Sequence, residues 1–262
     1  MDDVLYNKIG PGYNFSRQAD PYITETLYRL LAAQTNSLYL DIGCGTGNYT
    51  IALAAKGLNF YGVEPAEEML NVARDKNKQV NWLLGQAEKI PADDEVFDGV
   101  IATLTIHHWA NIKSALTEIY RVLKPGGTVV IFTATPQQMQ GYWLNHYFPA
   151  MLASSIAQMP SFHSMEQAAE EVSFTIAATE KYFIQDDLKD CFLYAGKNKP
   201  ELYFNEEVRK GISSFAALAN AAEVGQGLAR LHQDISADAF SAIKATYDNH
   251  AGDYLFIVLK KC

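Results

Sequence analysis

Three cysteines in 262 residues, at positions 44, 191 and 262, are too few and too scattered for a disulfide scaffold or a clustered metal site, and any pairing leaves one over. Long apolar runs are also missing, since no stretch approaches the roughly 18 residues of a membrane span. The opening Met1-Asp2-Asp3-Val4-Leu5 is acidic and has no apolar h-region, so a cytoplasmic protein is expected. Basic runs are absent as well. With 21 Lys and Arg against 30 Asp and Glu, the formal charge is −9, which lacks the electrostatic footprint of a nucleic-acid binder. No internal repeat or low-complexity linker interrupts the chain. At 48% hydrophobic and 19% charged, it has the balance of a globular protein that buries a full core, and it reads as one large domain carrying an insertion.

The most constrained stretch is Leu40-Asp41-Ile42-Gly43-Cys44-Gly45-Thr46-Gly47. An apolar run enters like a buried strand, glycines alternate at 43, 45 and 47, and a helical pattern begins at Asn48. Glycine permits φ > 0 and removes the Cβ, so a ligand can lie against the backbone while amides of the helix N-terminus point at it. A nucleoside-containing cofactor suits such a turn.

Strand and helix patterns alternate around it. Asp20-Pro21 reads as an N-cap and first-turn proline for a helix whose Ile23, Leu27, Leu30 and Leu31 share a face. Strands are expected at 37–42, 59–64, 80–84, 97–103 and 128–132, with helices at 48–56, about 66–77 and about 112–123, the last capped by Asn111. Five apolar strands separated by helices predict a parallel sheet covered on both faces. Beyond residue 135 the pattern changes. Gln137–Met159 reads mostly as helix, Ser164 with Gln167 as a capping box, Phe174–Ile184 as strand 6 and Gly252–Leu259 as a final strand, with helix starts at Asn205 and Ser236 between them. One α/β domain over 1–262 is expected, with an N-terminal cover over 1–20 and helical lid segments over 136–172 and 185–250.

In an open α/β sheet the ligand lies beyond the carboxyl ends of the strands, so residues at those ends are informative. Glu64 closes strand 2 at the distance from Gly43 where an acidic side chain bonds a ribose diol. Pro65 follows it, and Met69 offers a thioether to an adenine face. Gln86, Ala87 and Glu88, after strand 3, offer an amide side chain and backbone N–H groups to the adenine edge. A dinucleotide and S-adenosylmethionine both fit this far. The third glycine falls at Gly47, with Asn48 where a G-x-G-x-x-G fingerprint requires glycine, and Asp41 adds a carboxylate that would repel phosphate but orients the loop or receives an ammonium group through water. Both departures favour the amino-acid-bearing cofactor.

The chain resembles the class I S-adenosylmethionine-dependent methyltransferases of the small-molecule branch that includes the ubiquinone and menaquinone methyltransferases. The resemblance rests on 40–47, Gly62-Val63-Glu64-Pro65 with Met69-Leu70, Gln86-Ala87-Glu88-Lys89-Ile90-Pro91, Phe97-Asp98-Gly99-Val100-Ile101 and Arg121-Val122-Leu123-Lys124-Pro125-Gly126-Gly127, in that order. It implies a Rossmann-like seven-stranded, doubly wound sheet whose last strand runs antiparallel between strands 5 and 6. It also implies that Gly43 and Gly45 approach the cofactor's methionine part, Glu64 the ribose, and Ala87 and its neighbours the adenine. Gln86 departs from the aspartate common there.

A sulfonium methyl is already activated, so the protein must mainly hold an acceptor in line with it and exclude water. A base helps where the acceptor begins as a hydroxyl or C–H acid, and histidine suits because its ordinary pKa lies near neutrality. His107 is the first candidate and His108 the second, in a segment that follows strand 4 from Thr103. Tyr6, Tyr13 and Arg17 are expected to fold over the pocket, Arg17 meeting the cofactor's carboxylate in a bidentate pair. Tyr142–Phe148 and Cys191–Lys197 are expected to wall a pocket for an apolar or aromatic small-molecule acceptor. Neither the acceptor atom nor an oligomeric state is legible. A dinucleotide-dependent oxidoreductase and a catalytically silent cofactor-binding module are the rival readings.

Overall fold

The computed structural model describes residues 17–247 and 250–262, so Tyr6 and Tyr13 lie outside the described residues. Helix α1 (Pro21–Leu30) begins where Asp20 Oδ1 accepts the N–H groups of Tyr22 and Ile23 at 3.0 and 3.1 Å, and its Ile23 and Leu27 are fully buried. The expected cap is therefore present, and the other carboxylate oxygen also works: Asp20 Oδ2 accepts the Lys189 N–H at 3.0 Å, tying α1 to a segment far along the chain.

Strands β1 (Leu38–Ile42), β2 (Asn59–Glu64), β3 (Asn81–Leu84), β4 (Phe97–Thr103), β5 (Leu123–Thr133), β6 (Phe174–Tyr182) and β7 (Tyr254–Lys261) form one sheet in the order β3-β2-β1-β4-β5-β7-β6. Only β7 runs against its neighbours, pairing antiparallel with both β5 and β6. This is the seven-stranded, mostly parallel sheet that the resemblance implies. β5 starts earlier than its apolar core because Phe97 pairs Leu123 whereas Gly99 pairs Thr128, and Pro125-Gly126-Gly127 bulges between them with Gly126 at φ +76°.

Alternation along the strands feeds two cores, one on each face. Val130 and Phe132 join Ile23, Leu27, Tyr49 and Leu53, whereas Val129 and Ile131 join Leu116, Ile119, Met165 and Phe174. Helices α2 (Asn48–Ala54), α3 (Glu67–Lys76) and α4 (Ile112–Val122) connect the parallel strands. Asn111 caps α4 as expected, accepting the Ser114 N–H at 2.9 Å.

The segment 137–159 is mostly helix as expected, divided into α5 (Pro136–Gln140), α6 (Leu144–Tyr147) and α7 (Pro149–Gln158), broken after Gly141 and again where Pro149 imposes a first-turn position. Two expectations after β5 are corrected. Helix α8 (Phe162–Glu171) is capped by Ser161, whose Oγ accepts the Ser164 N–H at 3.0 Å, so Ser164 sits inside the first turn. Asn205 does cap α9 (Glu206–Lys210), but Ser236 ends α10 (Ala221–Ser236), and α11 (Phe240–Ala245) begins beyond it. Tyr142, Trp143, Tyr147 and Phe148 from the broken segment are 0–2% exposed and belong to the first core, where the Tyr142 and Tyr194 rings stack 3.9 Å apart. They are packing residues, not pocket walls. No helix among the described residues is long and apolar enough to cross a membrane.

Candidate active site

A cavity of about 280 Å³ opens at the carboxyl ends of β1, β2 and β4. Its rim is the glycine loop, and each glycine answers a different constraint. All three have positive φ: +66° at Gly43, +55° at Gly45 and +76° at Gly47. A Cβ on Gly43 would lie 2.0 Å from Thr105 Oγ1, and one on Gly47 would lie 2.4 Å from Trp82 Cη2. At Gly45 nothing stands within 4 Å, so its bare backbone faces open space. Gly47 therefore does not line the cavity as expected. It is buried under Trp82 and starts α2.

Two carboxylates support the loop. Glu64 is 6% exposed, with Oε2 accepting the Gly45 N–H at 3.0 Å and Oε1 the Ala66 N–H at 3.1 Å, so the end of β2 holds both the loop and the approach to α3. Burial raises its pKa against the pull of these two N–H groups. Asp41, at 2% exposure, accepts from Thr50 Oγ1 at 2.5 Å through Oδ2, while Oδ1 has no partner. Burial above all, and then the nearby Glu64, pushes its pKa up to about 7, with the Thr50 hydrogen bond opposing. From outside, Lys76 Nζ donates to Thr46 Oγ1 at 3.0 Å and Asn48 Oδ1 at 2.8 Å, fixing the turn into α2.

The cavity wall continues through Pro65, Met69, Gln86, Ala87, Glu88 and Thr103, all expected from sequence. Met69 is 1% exposed and serves the core as well. Glu88 Oε1 accepts the Asn111 N–H at 3.1 Å and so also steadies the start of α4. The loop beyond it is fastened by Arg121, which donates to the carbonyls of Ile90 and Ala92 at 3.0 and 2.8 Å and to Asp94 at 2.8 Å. Thr103 Oγ1 and Trp109 Nε1, both from residues lining the cavity, are buried without partners. Three unpartnered polar atoms around a glycine cradle fit a bound polar group, because a buried polar atom left unpaired costs about 1–3 kcal/mol.

His107 and His108 separate rather than converge. Their rings lie 3.9 Å apart in a short 3₁₀ turn, Ile106–His108, yet His108 lines the main cavity while His107 lines a second, adjoining one. Burial, with His108 and Arg17 beside it, holds His107 well below the ordinary imidazole pKa, so it is neutral at physiological pH. Its Nδ1 is buried and unpartnered.

Arg17 lines both cavities, and its bidentate carboxylate is supplied by the chain itself. Its Nε and Nη2 donate to Asp190 at 2.5 and 3.2 Å, and Tyr49 Oη donates to the same carboxylate at 3.1 Å. Asp190 escaped the sequence reading because it lies far from every motif. Tyr49 and the bracing Trp82 were missed as well, whereas Thr105 and Trp109 lie in the 103–109 segment that was placed at the mouth of the site without individual roles.

The methyltransferase-domain family matches residues 40–131, which is the sheet half carrying the glycine loop. A solved structure described as a putative methyltransferase from an antibiotic biosynthesis pathway of Anabaena variabilis is 34% identical, covers 93% of this chain and 98% of its own, and superposes with a TM-score of 0.83. The chain belongs to the class I S-adenosylmethionine-dependent methyltransferases. It is similar to an uncharacterised methyltransferase of Mycobacterium bovis, at 37% identity over 128 residues covering 49% of this chain and 52% of that protein. It is also similar to a ubiquinone/menaquinone biosynthesis C-methyltransferase of Campylobacter jejuni, at 28% identity over 153 residues covering 53% of this chain and 65% of that one. The chain thus spans about half the length of the first of these curated relatives.

Proposed function

We propose that the protein is an enzyme that transfers a methyl group from S-adenosylmethionine to a small-molecule acceptor by in-line displacement. The observation that carries this reading is the glycine cradle at Gly45, bare and bordered by the unpartnered Asp41 Oδ1 and Thr103 Oγ1. When bound, the cofactor supplies an activated sulfonium methyl. The chain's part is to bind, to orient and to exclude water. Glu64 takes the ribose diol on the lone pairs that its two N–H partners leave over, and Gln86, Ala87 and Glu88 border the adenine, with Pro65 and Met69 packing on it. Asp41 meets the ammonium group through water. Arg17, braced by Asp190, takes the carboxylate; Tyr13, expected to help, lies outside the described residues.

His107 acts as the base or acceptor-positioning group, with His108 as the second choice. Burial that lowers its pKa keeps the imidazole neutral, and its buried, unpartnered nitrogen is left to accept a hydrogen bond from the acceptor. Of the lid expected over 136–172 and 185–250, the helices α5, α6 and α7 and the described part of 185–250 lie on the acceptor side, whereas α8 packs with α4 on the other face; most of the cover expected over 1–20 lies outside the described residues, and the protein works in the cytoplasm.

Calorimetric titration tests the reading. S-adenosylmethionine or S-adenosylhomocysteine should bind at micromolar concentration or below, and Glu64→Ala should weaken binding by about 1.5–3 kcal/mol, the scale of a hydrogen bond to a charged group. Uptake of NAD or NADP with neither of these ligands bound overturns it in favour of an oxidoreductase. Failure to release S-adenosylhomocysteine with any acceptor in a metabolite extract favours the silent binding module.

A further inference from the structure

The second cavity, about 80 Å³, adjoins the first across Arg17 and Leu104. Its walls are mainly apolar: Met139, Met159, Phe192, Leu193, Ile212 and Tyr254. The Phe192 and Tyr254 rings meet edge to face with centroids 4.7 Å apart, and two thioethers accompany them, a lining that suits an aromatic guest. Two of its hydroxyls are internally bonded, while the Gln158, Ser213 and Ser214 side chains add polar groups to the lining. Ser155 Oγ donates to the Met151 carbonyl at 3.0 Å and Thr133 Oγ1 to that of Ala134 at 3.2 Å. His107 Nδ1 is the buried side-chain atom of this lining that has no partner.

Charge selects further. Among the described residues no Asp or Glu lines this cavity, and its one cation, Arg17, is already met by Asp190. An ammonium-bearing acceptor would be desolvated with no counter-ion, and a carboxylate would find Arg17 already met by Asp190 and by the cofactor's own carboxylate, so both carry a cost that a neutral molecule avoids. Size narrows the choice as well. A cavity of about 150 Å³ is enough to enclose benzene, so the 80 Å³ here accepts one ring only if part of it stays in the mouth between the two cavities, at Arg17 and Leu104.

We propose that the acceptor is a neutral, single-ring phenol whose hydroxyl is held by His107 Nδ1, so that the reaction is O-methylation. This rests on the methyltransferase reading above. With His107 in its Nε2–H tautomer, the phenol gives its hydroxyl proton to Nδ1 as its oxygen bonds the methyl carbon. The carbon–sulfur bond breaks with its electron pair left on sulfur, which departs as a neutral thioether, and the imidazolium returns its proton to solvent.

The test uses the whole protein loaded with S-adenosylhomocysteine, titrated with 2-methoxyphenol, benzylamine, benzoate and the two-ring 2-naphthol. Expected is binding of 2-methoxyphenol at least tenfold tighter than the other three, abolished in Ile212→Phe, which fills the second cavity while S-adenosylhomocysteine affinity stays within twofold. With S-adenosylmethionine, the methyl ether of 2-methoxyphenol should form, and His107→Asn should slow its formation near neutral pH and make the remaining rate rise with pH as the phenol itself ionises. Equal or tighter binding of benzylamine, benzoate or 2-naphthol, or no binding of the phenol by a protein that does bind S-adenosylhomocysteine, overturns the acceptor assignment alone. A protein that does not bind S-adenosylhomocysteine overturns the methyltransferase reading instead, and the acceptor assignment with it.

Discussion

Arg17 and Asp190 stand 173 positions apart, yet the guanidinium Nε reaches Asp190 Oδ1 at 2.5 Å and Nη2 reaches Oδ2 at 3.2 Å. The pair joins the segment before α1 to the segment after β6, and Tyr49 of α2 closes it as a third member. With side chains 14% and 2% exposed, it is a buried ion pair at the seam of two cavities.

Removing one partner of such a pair strands the other's charge. Asp190→Ala should therefore destabilise the protein by about 3 kcal/mol, toward the low end for buried pairs because Arg17 keeps some solvent. Tyr49→Phe, which removes only the third contact, should cost about 1 kcal/mol. Urea denaturation of both variants measures the difference. If Asp190→Ala leaves the midpoint unmoved, the pair is not a structural clamp.

Gly45 and Gly47 have similar positive φ but different surroundings. Alanine at Gly45 should cost the fold only about 1–2 kcal/mol of backbone strain, while its methyl enters the cofactor space and weakens S-adenosylhomocysteine binding at least tenfold. Alanine at Gly47 meets Trp82 as well and should destabilise by more. Thermal melts with and without S-adenosylhomocysteine separate the two; equal behaviour of the variants would contradict the division of labour.

Asp41 gives a pH signature whose sign follows from its raised pKa. Between about 4 and about 7 the folded protein holds the proton that the unfolded chain releases, so stability from this group falls as pH rises through that window. Asp41→Asn removes the penalty. Its melting temperature should match the parent near pH 4 and exceed it at pH 8, by about 2–4 °C for each kcal/mol recovered, while cofactor affinity drops. A constant difference across pH would show that Asp41 does not titrate in this range.

His107 has the opposite trend. Its depressed pKa keeps the ring neutral in the folded state, so the stability linked to it is present above the ordinary imidazole range and is lost as pH falls below it. If it is the base, His107→Asn should lower turnover by about 10²–10⁴-fold with S-adenosylhomocysteine affinity nearly unchanged. Retained turnover identifies the histidine as a packing residue.

The sheet was legible because its strands are short apolar runs ended by glycine or by caps with local chemistry, such as Asp20 and Asn111. The cofactor side was legible for the same reason, since Gly43, Gly45, Asp41 and Glu64 sit at strand ends that topology brings together. After β5 the last two strands and the Asn205 cap were legible, but the helix boundaries were not. The helices there are amphipathic against a core built from distant strands, so their breaks at Gly141 and Pro149 and the cap at Ser161 are decided by packing that no local period records. The same holds for Asp190 and Trp82, whose partners Arg17 and Gly47 are found only in space.

The placement of β7 between β5 and β6 also orders assembly. Among the described residues β6 pairs only with β7, and β7 reaches β5 across the chain that holds the cavity-wall residues lying between Thr133 and Tyr254. Pairings of such long range form late, after their loop-closure entropy has been met. The strands bearing the glycine loop close shorter loops, Leu38 with Asn59 and Tyr39 with Gly99, so the donor half of the site can mature before the acceptor half exists.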